Sequence, residues 1–250
     1  MIARNAICAF CQRPGVKMSD EHVIPQWMSL LGADAGPYER EVNGRTVRSK
    51  KINIITRSIC KDCNTGWMSR IEDGASIVMK PIFNATATKI SELDRWVIAR
   101  WITKTVYTFL LASLRSDESE PLDRAQYRNF YINPQPATNQ LTLLAGYTGP
   151  LLPVRFELTF QDDQTKRAGR ILFHFHRVVI CVFFLDNDYP SVHLPTWLKQ
   201  AAHVIWPPQR DLLWNEDPTM PVSWPPPYLL DEAAINNLCD VMRGDATTPN

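Results

Sequence analysis

Cys8-Ala9-Phe10-Cys11, Glu21-His22-Val23-Ile24-Pro25 and Cys60-Lys61-Asp62-Cys63-Asn64-Thr65-Gly66-Trp67-Met68 all lie in the stretch from Cys8 to Glu72, which decides the fold. Two Cys-x2-Cys pairs enclose an acid–histidine pair, and an asparagine follows the last cysteine. Sulfurs two residues apart can converge on one ion through a tight turn, and Arg13-Pro14-Gly15 supplies turn residues after the first pair. Four thiolates fill a tetrahedral zinc site and leave it no open position. The expected ligands of a structural Zn²⁺ are therefore Cys8, Cys11, Cys60 and Cys63. That ion would join two distant pieces of chain and fix the geometry between them.

Working outward, the 250 residues are 45% hydrophobic and 21% charged, a globular profile with enough apolar material for a sizeable core. The length suits one large domain or two ordinary ones. Four of the six cysteines fall in the two pairs, with Cys181 in an apolar run and Cys239 in a predicted helix. Paired spacing without an export signal reads as metal ligation in a reducing compartment, so a cytoplasmic protein is expected. The longest apolar run, Val178 to Leu185, is far short of the roughly 20 residues of a membrane helix, so no membrane partner is expected.

Net charge is +1, which assigns any nucleic-acid affinity to a local patch. Residues 1–72 carry 11 Lys/Arg against 7 Asp/Glu. From Arg40 to Lys61 the chain carries Arg40, Arg45, Arg48, Lys50, Lys51, Arg57 and Lys61, opposed within that span only by Glu41. Such a run is usually a solvated loop, but at this place it suits a phosphate backbone. Arg45, Arg48, Lys50, Lys51 and Arg57, with Arg70, are the candidate nucleic-acid contacts.

Local patterning predicts a short strand ending at Pro25 and a hairpin turning at Asn43-Gly44. Residues 52–55 are apolar enough for a strand leading into the second cysteine pair. A helix is predicted from Asn64-Thr65 to Met79 and stopped by Pro81, its free N–H groups facing His22. Ser91-x-x-Asp94 resembles a capping box and opens a helix from Trp96 to Leu114 that is apolar around much of its circumference. That helix is expected to be buried, and Arg95, Arg100 and Lys104 exclude a membrane span. Strands are predicted at Leu141–Tyr147, Val154–Phe160, Arg170–Phe175 and Val178–Leu185, a helix over Thr196 to Ile205, and a final helix capped by Asp231. The fold class is α+β. A small zinc-stapled domain, residues 1–80, precedes a larger α+β domain with an antiparallel sheet, residues 81–250.

The Cys8–Trp67 stretch resembles the HNH endonucleases, ββα-metal nucleases with a structural zinc. The resemblance covers roughly the first 75 residues. It implies a ββα-metal fold, divalent-metal-dependent hydrolysis of DNA phosphodiesters, and a phage or bacterial defence setting. By motif position it makes His22 the general base, and Glu21 and Asn64 the ligands of a catalytic Mg²⁺ or Mn²⁺. Glu21 stands where the family usually has Asp. The asparagine that orients the base is displaced: Ile55 stands at its usual place, and Asn53 is the nearest candidate. The chemistry is consistent with these types, since an imidazole takes a water proton near neutral pH and a hard cation prefers oxygen ligands. The larger region would position substrate, form a homodimer or regulate. The rival expectation is a zinc-stapled nucleic-acid or protein binding module with a degenerate, inactive site.

Overall fold

The computed structural model describes residues 6–28, 38–42, 45–49, 54–113, 122–136, 140–149, 155–163, 166–175, 177–184, 196–206 and 220–243. Met18–His22 (β1) pairs antiparallel with Ile55–Cys60 (β4), with Met18 opposite Cys60 and His22 opposite Ile55. A register shift between Ser19 and Glu21 marks a bulge, which bends the strand and re-aims its side chains. The pairing sets the acid–histidine segment directly against the strand that ends in the second cysteine pair.

From β4 the chain turns without a break into Lys61–Cys63 (α2), a π turn at Asn64–Met68, and Ser69–Phe83 (α3). The helix thus opens at Lys61, not at Asn64, because extended Cys60 takes the capping position. Gly66, at φ −98 and ψ −106, carries the kink. Pro81 does not end the helix as expected; it sits in the last turn. There it deletes only the bond to the carbonyl of Ile77, a residue that is exposed. Gln26–Met28 (α1) follows Pro25 as a single turn.

Tyr38–Val42 (β2) and Arg45–Ser49 (β3) form the expected hairpin, Val42 opposite Arg45. They join a seven-stranded sheet of order β10-β6-β9-β8-β7-β2-β3. Its other strands are Gln140–Gly146 (β6), Arg155–Asp163 (β7), Lys166–Phe175 (β8), Val178–Phe184 (β9) and Ala202–Trp206 (β10). All neighbours are antiparallel except β2 and β7, which run parallel. Thr88–Ile90 (β5) pairs separately with Val222–Trp224 (β11).

Glu92–Ser113 (α4) opens on the Ser91–Asp94 box: Ser91 N donates to Asp94 Oδ2 at 2.9 Å, and Asp94 N donates to Ser91 Oγ at 3.1 Å. As expected, α4 is buried nearly from end to end. Arg124–Ile132 (α5) has its own capping box at Asp123 and Gln126. The predicted helix at Thr196–Ile205 stops at Ala201 (α6), and its second half is the edge strand β10. The final helix, Glu232–Arg243 (α7), has Asp231 as cap, accepting from Ala234 N at 2.8 Å.

β6 and β9 are buried on both faces, which explains the unbroken apolar sequence of β9; in β6 the buried polar pair satisfies itself, Gln140 Nε2 donating to Thr142 Oγ1 at 2.8 Å. Leu141, Leu143, Cys181, Ile235 and Leu238 build one core on the α7 side. On the other side a single cluster takes in all four N-terminal cysteines, Ile71 and Met79 of α3, Ile98 and Phe109 of α4, Tyr127 and Phe130 of α5, and Phe173 and Phe175 of β8. The N-terminal stretch is therefore packed into the core of the second half through α4.

Candidate metal centre and its carboxylate neighbours

Cys8, Cys11, Cys60 and Cys63 are buried, and their sulfurs all lie within 4.8 Å of one another. Cys8 Sγ is 3.9 Å from Cys63 Sγ, and Cys11 Sγ is 3.8 Å from Cys60 Sγ. A Zn–S bond of about 2.3 Å places the corners of a tetrahedron about 3.8 Å apart, so these four donors suit a zinc ion. The same spacing is far too wide for a disulfide.

Donors reach two of the sulfurs, while burial pushes the Cys60 thiol up and the hydrogen bond with Cys8, with burial, pushes the Cys63 thiol up. Cys60 N donates to Cys8 Sγ at 3.3 Å, and Arg13 Nε donates to Cys11 Sγ at 3.4 Å. Arg13 is itself held by Asp62 at 2.9 Å. The Cys8 thiol is lowered to about 4, first by its hydrogen bond with Cys63, while burial works against that and backbone N–H groups of Cys60, Cys11 and Phe10 add to it. Such contacts orient metal ligands and tune their charge. Gln12, with φ +56, closes the first turn, and its N–H donates to Cys8 O at 2.9 Å.

Two further bonds strap the first knuckle to β4 and to the second: Ala9 N donates to Ser58 O at 2.9 Å, and Lys61 N donates to Lys17 O at 2.8 Å. α5 adds a clamp from the second half, with Arg128 donating to Cys11 O and Gln12 Nε2 donating to Arg124 O at 3.0 Å. Trp67 packs edge-on against Phe10 and Phe130, at 5.4 and 5.6 Å between ring centres, as a core residue.

The acid–histidine pair splits across β1. His22 is half-buried at the strand's end, and Glu21 is 5% exposed. Glu21 Oε1 accepts a hydrogen bond from Lys104 Nζ, and the same ammonium donates to Glu72 Oε1 at 2.5 Å. Lys104 comes from the middle of α4 and its side chain is 0% exposed. Asn64 is also engaged: its Nδ2 donates to Ser19 Oγ at 3.1 Å and to Asp20 O at 3.5 Å. The two residues assigned to a divalent cation are thus held by different partners, and they do not form an open oxygen cage for Mg²⁺ or Mn²⁺.

Burial pushes the Glu21 carboxyl above its ordinary value of 4.5, with Lys104 opposing the rise. The folded chain then holds a proton that the unfolded chain gives up. Stability from this group is full below 4.5 and falls as pH rises through the raised value. In urea denaturation, the stability of wild type relative to Glu21→Gln is expected to decline as pH rises from 4.5 toward neutrality. A difference that stays flat over that window would remove Glu21 as a titrating group.

Arg45 and Arg48 lie on β3, at the opposite edge of the large sheet from β10. Arg57 is exposed and ion-paired with Asp20 at 2.8 Å, and Arg70 is exposed on α3. Lys50, Lys51 and Asn53 lie outside the described residues. Sequence reasoning missed Glu72 and Lys104. The only signal was a lysine set within an otherwise apolar helical circumference.

The chain matches no family model, no curated protein and no solved structure. Among the described residues, no helix is long and apolar enough to cross a membrane. The chain has a mixed α+β fold with largely antiparallel sheets and a four-cysteine cluster suited to a metal such as zinc.

Proposed function

We propose that this protein is an HNH-type endonuclease that hydrolyses DNA phosphodiester bonds. One observation carries the reading. Two antiparallel strands, β1 and β4, run into a single helix at a four-cysteine cluster, and His22 stands half-buried on the first strand of that unit. The zinc would hold strand and helix at a fixed angle and take no part in the reaction. His22 would accept the proton of the attacking water, and the basic residues of β3 and α3 would meet the phosphate backbone. The reading also calls for Mg²⁺ or Mn²⁺. Because Glu21 and Asn64 are held by other groups, the chemistry assigned to this chain stops at His22.

The hold of Lys104 on Glu21 favours a second reading, a zinc-stapled nucleic-acid-binding module that does not cut. A plasmid-nicking assay in Mg²⁺ or Mn²⁺ separates the two. Wild type is expected to nick, and His22→Ala to lose about 100- to 10,000-fold in rate while keeping its zinc. Equal rates for the two proteins would take His22 out of the mechanism. Plasmid binding without nicking by wild type would establish the second reading.

A further inference from the structure

We propose that the junction of α3 and α4 is a phosphate-binding site, in which Arg70 and Arg100 grip one backbone phosphate of a nucleic-acid strand. The proposal rests on reading the chain as a nucleic-acid-binding protein and does not depend on whether His22 cuts. α3 packs against α4. Arg70, in the first turn of α3, is exposed, and Arg100 of α4 is half-buried. The Arg100 guanidinium lies over the Trp96 ring, 5.0 Å from its centre. That ring is anchored in turn, with Trp96 Nε1 donating to Gln135 Oε1 at 2.8 Å beyond the end of α5. Stacking on an indole holds a planar guanidinium in place without using its N–H donors.

The described residues supply no counter-charge. Along α4 the neighbours of Arg100 on its own helical face are Trp96, Val97, Thr103 and Lys104, none of them an acid. Among the described residues neither Arg100 nor Arg70 forms an ion pair, not even Arg70 with Asp73 one turn on. Glu72 and Asp94, on the same two helices, are committed to Lys104 and Ser91. Arg100 Nε is shielded from water and has no hydrogen-bond partner. What Arg100 faces instead is a second cation: burial, and then the charge of Arg70, push its guanidinium below the ordinary value. Like charges brought together without a counter-ion are a local cost of the kind proteins keep at functional sites. A phosphate removes it, since its oxygens match converging guanidinium donors in both charge and geometry. The half-buried indole beside them offers a surface to a sugar or base, which favours a polynucleotide over an isolated anion.

The test is binding of a labelled DNA duplex to the zinc-loaded full chain, followed by fluorescence anisotropy over a range of salt. Arg70→Gln and Arg100→Gln are each expected to bind about tenfold more weakly, the usual cost of a lost charge-assisted hydrogen bond. The double variant, which loses the whole contact, is expected to make the plot of log K against log salt shallower by about 0.9, the share of one phosphate. Arg100→Lys keeps the charge but not the planar fork, and is expected to stay weaker than wild type. Inorganic phosphate, against chloride at matched ionic strength, is expected to raise the urea midpoint of wild type more than that of the double variant. Equal duplex binding by wild type and the two glutamine variants, full recovery in Arg100→Lys, or an equal phosphate effect on wild type and the double variant would each overturn the proposal. Phosphate stabilisation without duplex binding would overturn the polynucleotide as occupant. Nicking by wild type and by His22→Ala is scored separately. Nicking with unchanged affinity in the arginine variants sinks this site alone, and arginine-dependent binding without nicking sinks the nuclease reading alone.

Discussion

Cys60→Ala is expected to lose its zinc and, with it, the folded state of the β1–β4 unit. Cys60 ends β4, caps the helix that follows, and donates its backbone N–H to Cys8 Sγ at 3.3 Å. Three sulfurs cannot close the tetrahedron, and structural zinc in small peptides supplies roughly 10–16 kcal/mol of apparent binding free energy. That is comparable with the whole stability of an ordinary domain, roughly 5–15 kcal/mol. The damage should not stay local. Cys8, Cys11, Cys60 and Cys63 share one buried cluster with α3, α4 and α5, and Phe10 packs on both Trp67 and Tyr127. Zinc content is expected to fall to background, and the near-ultraviolet circular dichroism of the buried aromatics to collapse. Cys181→Ala, in the other core, is expected to keep its zinc. A folded, zinc-loaded Cys60→Ala protein would refute the four-sulfur assignment.

The parts legible in the sequence were those written in local pattern. Cys-x2-Cys spacing carries its own geometry, so the four sulfurs could be assigned before any fold was known. Ser91 and Asp94 mark the start of α4 in a four-residue window, and the absence of Gly or Pro from Trp96 to Leu114 marks its length. The apolar run of β9 identified a strand; its burial on both faces came from the fold. What stayed hidden depends on pairing between distant residues. Ala202–Trp206 is compatible with helix by composition, but pairing with β6 makes it a strand. The β2–β3 hairpin was visible at Asn43-Gly44, whereas its parallel docking on β7 is not encoded near it. The candidate site divides in the same way. His22 and Glu21 are named by their motif, while the group that holds Glu21 lies 83 residues away. Lys104 served in the sequence only as a charge that excluded a membrane span. Its use becomes apparent once α4 is seen to cross behind β1 and α3. The helix start also moved, since capping by Cys60 rather than Asn64 could be settled only by the continuity of β4 with α2.

Lys104→Met is expected to destabilise the protein by about 3–5 kcal/mol, the usual cost of removing one member of a buried ion pair. The substituted side chain fits the space of the lysine stem, so lost packing contributes little. The cost comes from Glu21 and Glu72, left facing one another in a site where Glu21 is 5% exposed and no longer has a counter-charge. The sign should reverse when the carboxylates go too. Replacing a whole buried ionic group by neutral side chains is often neutral or stabilising, because the attraction among the charges no more than repays their desolvation. Lys104→Met combined with Glu21→Gln and Glu72→Gln is therefore expected to recover most of the loss in urea denaturation. The coupling among the three substitutions is then several kcal/mol, beyond the few tenths expected of independent sites. If Lys104→Met alone stays within about 1 kcal/mol of wild type, within the range of an exposed surface pair, the ammonium does not hold the two carboxylates. The ion pair between α4 and the strand that carries His22 would then contribute little to stability.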